Sequence, residues 1–156
     1  MGRMYTATFS AVAVTAVQDL FEVVAPADAA VVLYAVYLSQ SSDVGDAAEE
    51  MLQVAIKSGA TTSGSGGTAP TPPPLSLGNP AFGGTVEVNN TTVASAGTIV
   101  THHKESFNSR AGWQYIPTPE MRKVLSPSAR MTVELLTTPA DSLTMDGTIY
   151  FEEVGG

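Results

Sequence analysis

The sequence predicts an all-β protein, an antiparallel β-sandwich of the jelly-roll type with one long Gly/Pro-rich loop. Apolar and polar side chains alternate with a period of two in segment after segment, which is the pattern of half-buried strands. Gly, Pro, Asn and Ser residues separate these segments at short intervals, and no long helical pattern lies between them. A chain of 156 residues fits one domain of ordinary size, so we expect residues 1–156 to form a single sandwich.

Eight or nine strands follow from this alternation. The first is the clearest, because Tyr5, Ala7 and Phe9 fall on one face while threonine and serine residues fall on the other. In the last strand, the pair Asp146-Gly147 predicts a bulge or a tight turn. In chain order the predicted strands span residues 4–14, 19–24, 30–38, 51–57, 84–88, 97–107, 112–116, 130–136 and 142–153.

The strand predicted at 30–38 is apolar on both faces, unlike its neighbours. A strand of this kind lies in the middle of a sandwich or against another subunit. Its two tyrosines, Tyr34 and Tyr37, are therefore candidate interface or ligand contacts. The residues that make both faces apolar are Val31, Val32, Leu33, Tyr34, Val36 and Tyr37.

Two stretches that follow this strand are less regular. Residues 43–50 are acidic but lack the ligand alternation of an EF-hand loop, so the sequence favours a hydrated acidic loop over a calcium site. Residues 47–54 are compatible with one or two helical turns as well as with the beginning of a strand. Residues 59–84 are rich in Gly, Ser, Thr and Pro, which predicts a flexible insertion that becomes polyproline-like.

Composition excludes several classes of function. The chain has no cysteine, which removes disulfides, thiolate nucleophiles and Cys-ligated metal centres. The formal net charge is -8 and the seven Lys and Arg residues are scattered, so nucleic acid is not an expected partner. The longest apolar stretches, such as 29–38, are far shorter than the roughly 20 residues that span a bilayer. We therefore expect no membrane partner.

Metal-ligating side chains meet in the sequence at His102-His103-Lys104-Glu105. Neighbouring residues of a strand point to opposite faces, so His102 and His103 do not match the paired histidines of a cupin-type metal centre. No Gly-x-Ser-x-Gly elbow or equivalent nucleophile motif occurs. The sequence thus predicts no catalytic residue, no cofactor and no metal, and a cupin-like metalloenzyme would require bound metal in stoichiometric amount.

Trp113 and Tyr115 are predicted to share one face of a strand. Aromatic pairs of this kind are typical of cores, and interfaces and sugar-binding platforms use them as well. Trp113 and Tyr115 therefore join Tyr34 and Tyr37 as candidate interface or ligand contacts.

Four segments resemble small proteins encoded in the structural modules of tailed bacteriophages. They are MYTATFSAV at 4–12, LSQSSD at 38–43, FGGTVE at 82–87 and LTMDGTIYFEE at 143–153. Among such proteins the similarity is greatest to the jelly-roll capsid decoration, or cement, proteins. These segments belong to a sheet framework, so the resemblance assigns no functional residue to a position of this chain.

The resemblance implies a non-enzymatic virion protein that decorates or cements the capsid exterior. Its expected partners are further copies of itself, as a homotrimer, and the major capsid protein or other virion proteins. Its expected location is the virion, assembled in the host cytoplasm. The alternative is a carbohydrate- or receptor-binding module of a head or tail fibre, in which Trp113 and Tyr115 would form the stacking platform.

Overall fold

The computed structural model describes residues 2–41 and 49–155. Within these residues the chain forms ten β-strands and one turn of 3₁₀ helix, Pro119–Met121. The strands are β1 (Arg3–Val14), β2 (Gln18–Val24), β3 (Ala29–Gln40), β4 (Met51–Ser58), β5 (Thr85–Asn90), β6 (Val100–Asn108), β7 (Trp113–Tyr115), β8 (Val124–Leu125), β9 (Arg130–Leu135) and β10 (Leu143–Gly155).

The strands form two antiparallel sheets that pack against each other, as predicted. Sheet A has the order β1-β10-β3-β7. The short β8 pairs with the same edge of β3 as β7 does, but nearer the beginning of β3. Sheet B has the order β5-β2-β9-β4-β6. Without β5 and the two-residue β8, the two sheets have the orders β1-β10-β3-β7 and β2-β9-β4-β6. Along the sequence the chain then changes sheet at every step except from β4 to β6, as in a jelly roll. The predicted fold class, an antiparallel β-sandwich, is confirmed.

Each of the nine predicted strands has a counterpart whose ends lie within about three residues of the expected ones. The short β8 is an addition that the alternation did not indicate. A strand begins at Met51, so the helical alternative is wrong for 51–54. Residues 42–48, which hold most of the predicted acidic loop, lie outside the described residues.

The irregularity predicted at Asp146-Gly147 belongs to the neighbouring strand. β10 continues through both residues, whereas β1 shifts register between Phe9 and Val12, and Ala11 has a φ of 54°. One carboxylate oxygen of Asp146 accepts hydrogen bonds from Ser10 Oγ at 2.7 Å and from the Ala11 amide at 2.9 Å. The acidic side chain thus holds a bulge in the strand opposite it.

A second bulge decides which way the tyrosines of β3 point. Tyr150 pairs with Ala35 and Phe151 pairs with Leu33, so Tyr34 has no direct partner across the sheet. Strict alternation would place Tyr34 and Tyr37 on opposite faces, because they are three residues apart. The extra residue brings both to the outer face of sheet A.

The inner faces of the two sheets form one apolar core. Its largest fully buried side chains include Tyr5, Phe21 and Phe151. Phe82, from the end of the Gly/Pro-rich insertion, packs on Tyr5 and Phe151 with ring centroids 5.3 and 4.9 Å apart. The insertion is therefore attached to the core at its far end.

The beginning of the insertion crosses the outer face of sheet B together with residues 91–99. These two arms pair antiparallel through the bridges Thr62↔Ser95 and Ser65↔Thr92, and the first arm reaches β5 through Thr68↔Val88. We call residues 59–68 and 91–99 the cover ribbon. The chain turns back at Gly59, whose φ is +99° and where a Cβ would overlap the carbonyl oxygen of Thr98. Only glycine tolerates this corner without strain.

The proline-rich part of the insertion follows the free edge of β1. The Thr6 amide donates to the Pro73 carbonyl at 3.2 Å, and the Leu75 amide donates to the Met4 carbonyl at 2.9 Å. A sheet edge with unpaired backbone groups invites aggregation, and a proline-rich neighbour blocks it. The flexibility expected of 59–84 stays a prediction.

Candidate functional site

The two outer faces of the sandwich differ in what covers them. On sheet B the cover ribbon buries polar side chains, and Asp19 and Glu22 are each 1% exposed. On sheet A the corresponding side chains of β3, β8 and β10 are half-buried or exposed. We call this outer side of sheet A the open face, with Val32, Tyr34, Tyr37, Val124, Thr148, Tyr150 and Glu152 as its main residues.

One half of the open face is held together by polar contacts around Tyr34. Its hydroxyl donates a hydrogen bond to Glu152 Oε2 at 2.7 Å. The guanidinium carbon of Arg122 lies 3.8 Å from the centre of the Tyr34 ring, a cation-π contact. The hydrogen bond to Glu152, with burial, raises the pKa of Tyr34, so this phenol remains a donor at neutral pH.

The other half of the open face is aromatic and apolar. Tyr37 and Tyr150 meet edge to face with ring centroids 6.1 Å apart. Val124 pairs with Val32 at the β8 side of the sheet and is 54% exposed. The connection that leads to β8 carries two more exposed apolar residues, Ile116 and Met121. Side chains of this kind are typical of protein contact surfaces.

Trp113 and Tyr115 share one face of β7, as expected, and their rings stack with centroids 6.0 Å apart. Trp113 is only 5% exposed and belongs to the core, whereas Tyr115 is half-buried against it. The ring of His103 packs on Tyr115 at 4.7 Å, and Glu105 accepts a hydrogen bond from Trp113 Nε1 at 2.9 Å. This cluster joins β6 of sheet B to β7 of sheet A.

The histidines have separate surroundings. His102 Nε2 lies 2.7 Å from the Ser58 hydroxyl, and burial, with a smaller effect of Lys123, lowers the pKa of His102. His103 lies 3.2 Å from Glu105, whose pKa is lowered by the hydrogen bonds from Trp113 and His103. Within residues 2–41 and 49–155, no group of three His, Cys, Asp or Glu side chains is placed to hold a metal ion.

A buried ionic layer beneath the cover ribbon was not predicted. Glu22 accepts hydrogen bonds from Arg130 Nε at 2.6 Å, Ser63 Oγ at 2.6 Å and the Gly64 amide at 2.9 Å. Lys57 donates to Glu134 at 2.7 Å. The sequence signal was the presence of two carboxylates in the otherwise apolar strand QDLFEVV at 18–24, because a carboxylate in a sheet requires either solvent or a polar cover.

Comparisons with family models, curated proteins and solved structures found no match for this chain. No helix formed by the described residues is long and apolar enough to cross a membrane. The open face and the cover ribbon are therefore the features of the molecule that bear on its function.

Proposed function

We propose that this protein is a non-enzymatic structural protein of a tailed-phage virion, which assembles as a homotrimer and attaches to the capsid exterior. The observation that carries the proposal is the open face. It presents Tyr34, Tyr37 and Tyr150 beside the exposed Val124, on a sheet whose opposite side forms the core. Contact surfaces between proteins are enriched in tyrosine, methionine and arginine, and Met121 and Arg122 lie at its margin.

The chemistry of the chain supports a protein partner. A net charge of -8 disfavours binding to phosphate backbones. Among the described residues, the cover ribbon occupies the other outer face, and the open face is the broad sheet surface left for contact. The four segments that resemble phage structural proteins direct the proposal to a virion, and the decoration class to which they are most similar is usually trimeric.

The first experiment measures the oligomeric state. We expect the purified protein to sediment as a trimer, and Val124→Asp to shift it toward monomer because the new carboxylate would lose its hydration in an apolar contact. Thr71→Asp is the matched control, since Thr71 is exposed in the insertion, away from the open face. Monomeric wild-type protein at all concentrations would contradict the trimer.

The second experiment tests attachment. Capsids that lack the protein are mixed with wild-type protein or Val124→Asp and separated from free protein by sedimentation. We expect the wild type to pellet with the capsids. Failure of wild-type protein to bind, together with a monomeric state, would remove the structural proposal.

A glycan- or receptor-binding module is the second candidate, and one observation favours it. A groove of about 400 Å³ lies where Tyr37 and Ser39 meet Gly112 and Gln114. An accessible tyrosine beside polar groups suits a sugar ring. Because Trp113 is buried, the stacking residue in this version is Tyr37. Glycan-array binding that Tyr37→Ala abolishes, with the fold retained, would support this candidate over capsid decoration.

A further inference from the structure

The cover ribbon carries no charge, although it covers charged residues. No ionisable side chain occurs from Ser58 to Val86 or from Val88 to Thr101. Three carboxylates with low exposure, those of Asp19, Glu22 and Glu134, lie beneath the ribbon. An uncharged cover offers these groups backbone amides and hydroxyls but no cation. The electrostatic part of the contact between ribbon and sheet is therefore set by the charges of the sheet itself.

Two of the three carboxylates are paired with cations. Glu22 contacts Arg130, and Glu134 contacts Lys57, both at hydrogen-bond distance. Asp19 differs: its Oδ2 accepts the Ala94 amide of the ribbon at 2.6 Å, and its buried Oδ1 has no hydrogen-bond partner. A buried carboxylate with one free oxygen is costly when it is charged and much less so when it is protonated.

The surroundings of Asp19 place its titration near neutrality. The pKa of Asp19 is raised to about 7, mainly by burial and to a smaller extent by the neighbouring carboxylates Glu134 on β9 and Glu22 on β2. The Ala94 amide and Lys57 on β4 act in the opposite direction. Asn90, opposite Asp19 on β5, is uncharged, as is the ribbon above it.

We propose that Asp19 is a protonation-controlled latch for the cover ribbon. When the Asp19 side chain is a neutral acid, the ribbon lies closed on sheet B. When it is a carboxylate, opening of the ribbon at Ala94 becomes more favourable, because the open state returns the buried charge to water. This inference does not depend on the proposed assembly, which involves the other sheet. Opening would expose a second, acidic surface in neutral to alkaline solution.

The test is amide hydrogen exchange measured by NMR, with rates corrected for the intrinsic effect of pH. Ala94 and Gly64 are the reporters, because their amides bind Asp19 and Glu22 across the contact between ribbon and sheet. Between pH 5.5 and 8 we expect protection at both amides to fall on the order of tenfold, and to level off above about pH 7. Asp19→Asn keeps an acceptor for the Ala94 amide and should show no such fall.

Asp28→Asn is the matched control, because it makes the same chemical change at an exposed turn. It should follow the wild-type profile. Equal profiles for wild type and Asp19→Asn would overturn the proposal, as would constant wild-type protection over this range. Should Asp19→Asn not fold, an NMR titration of the wild type decides instead, in which the chemical shift of the Asp19 carboxyl carbon is followed against pH. A titration midpoint near 7 supports the latch, and one near 4 rejects it.

Discussion

The outer faces of sheets A and B are covered by the rest of the chain to different extents. On sheet B the chain folds back on itself, and the cover ribbon buries an ionic layer of carboxylates, Lys57 and Arg130. On sheet A, among the described residues, Arg122 lies over Tyr34, and the aromatic side chains of the open face are half-buried. The less covered, tyrosine-rich face is the one that we propose contacts another molecule.

The two faces should also differ in how much stability is lost when a contact is removed. Charges on the covered face are desolvated, so each depends on its partner, whereas water solvates the groups on the open face when a contact is lost. Equivalent substitutions should therefore cost more on the covered face. Three of the matched pairs below test this comparison and one compares two glycines of the insertion, in order of decreasing expected effect.

The largest contrast is expected between two arginines. Arg130→Met removes the cation that faces the buried Glu22, and we expect the free energy of unfolding to fall by about 3 kcal/mol. Arg122→Met removes a cation-π contact at the open face and should cost about 0.5–1 kcal/mol. Urea unfolding of both variants gives the values. Equal losses would show that the two faces are not energetically different.

Two glycines of the insertion provide the next contrast. Gly59→Ala introduces a Cβ at a φ of +99° against the backbone of Thr98, whereas nothing lies within 4 Å of a Cβ at Gly78. We expect Gly59→Ala to cost about 2 kcal/mol and Gly78→Ala to be close to neutral. Thermal unfolding measures both. A neutral Gly59→Ala would mean that the ribbon corner contributes little to stability.

Two aspartates should give pH dependences of opposite sign. The raised pKa of Asp19 means that its contribution to stability is present at low pH and is lost as the pH rises to about 7. Asp19→Asn should therefore gain stability relative to wild type from pH 5 to pH 8, on the order of 1–2 kcal/mol.

For Asp146, on the outer side of sheet A, hydrogen bonds from Ser10 and the Ala11 amide lower the pKa. Its contribution is present above the ordinary pKa of an aspartate and is lost in acid. Asp146→Asn should thus be destabilised at pH 7 and approach the wild type near pH 2. Chemical denaturation across this range checks both variants, and slopes of equal sign would contradict the assignment.

The smallest contrast concerns two hydroxyls that each donate to a glutamate. Ser63 Oγ lies 2.6 Å from the buried Glu22, and Tyr34 Oη lies 2.7 Å from Glu152 on the open face. We expect Ser63→Ala to cost about 1.5 kcal/mol and Tyr34→Phe about 0.5 kcal/mol. Urea unfolding midpoints compare the two variants when the dependence of the unfolding free energy on urea concentration is the same. A larger loss for Tyr34→Phe would contradict the lower solvent access that we assign to Glu22.

Much of the fold could be predicted because strand alternation is a local property. Tyr5, Ala7 and Phe9 identified β1, and the doubly apolar run at 30–38 identified a strand with neighbours on both sides, while its role in a contact stays a prediction. The sequence did not distinguish the candidate contact residues that are accessible from the one that is buried. Tyr34 and Tyr37 lie on the open face, whereas Trp113 is in the core. The sequence showed that Trp113 and Tyr115 share a strand face, but not whether that face points to the core or to the outside.

By itself, the sequence determined the β-sandwich class, the positions of nine of the ten described strands and the absence of cysteine chemistry, since each depends on residues close together in the chain or on composition. Tertiary structure alone decided that a bulge turns Tyr34 to the same face as Tyr37, and that Asp19 lies beneath Ala94. The physical reason is distance along the chain. A bulge depends on the register with β10, and the burial of a carboxylate depends on a ribbon some 75 residues away in sequence.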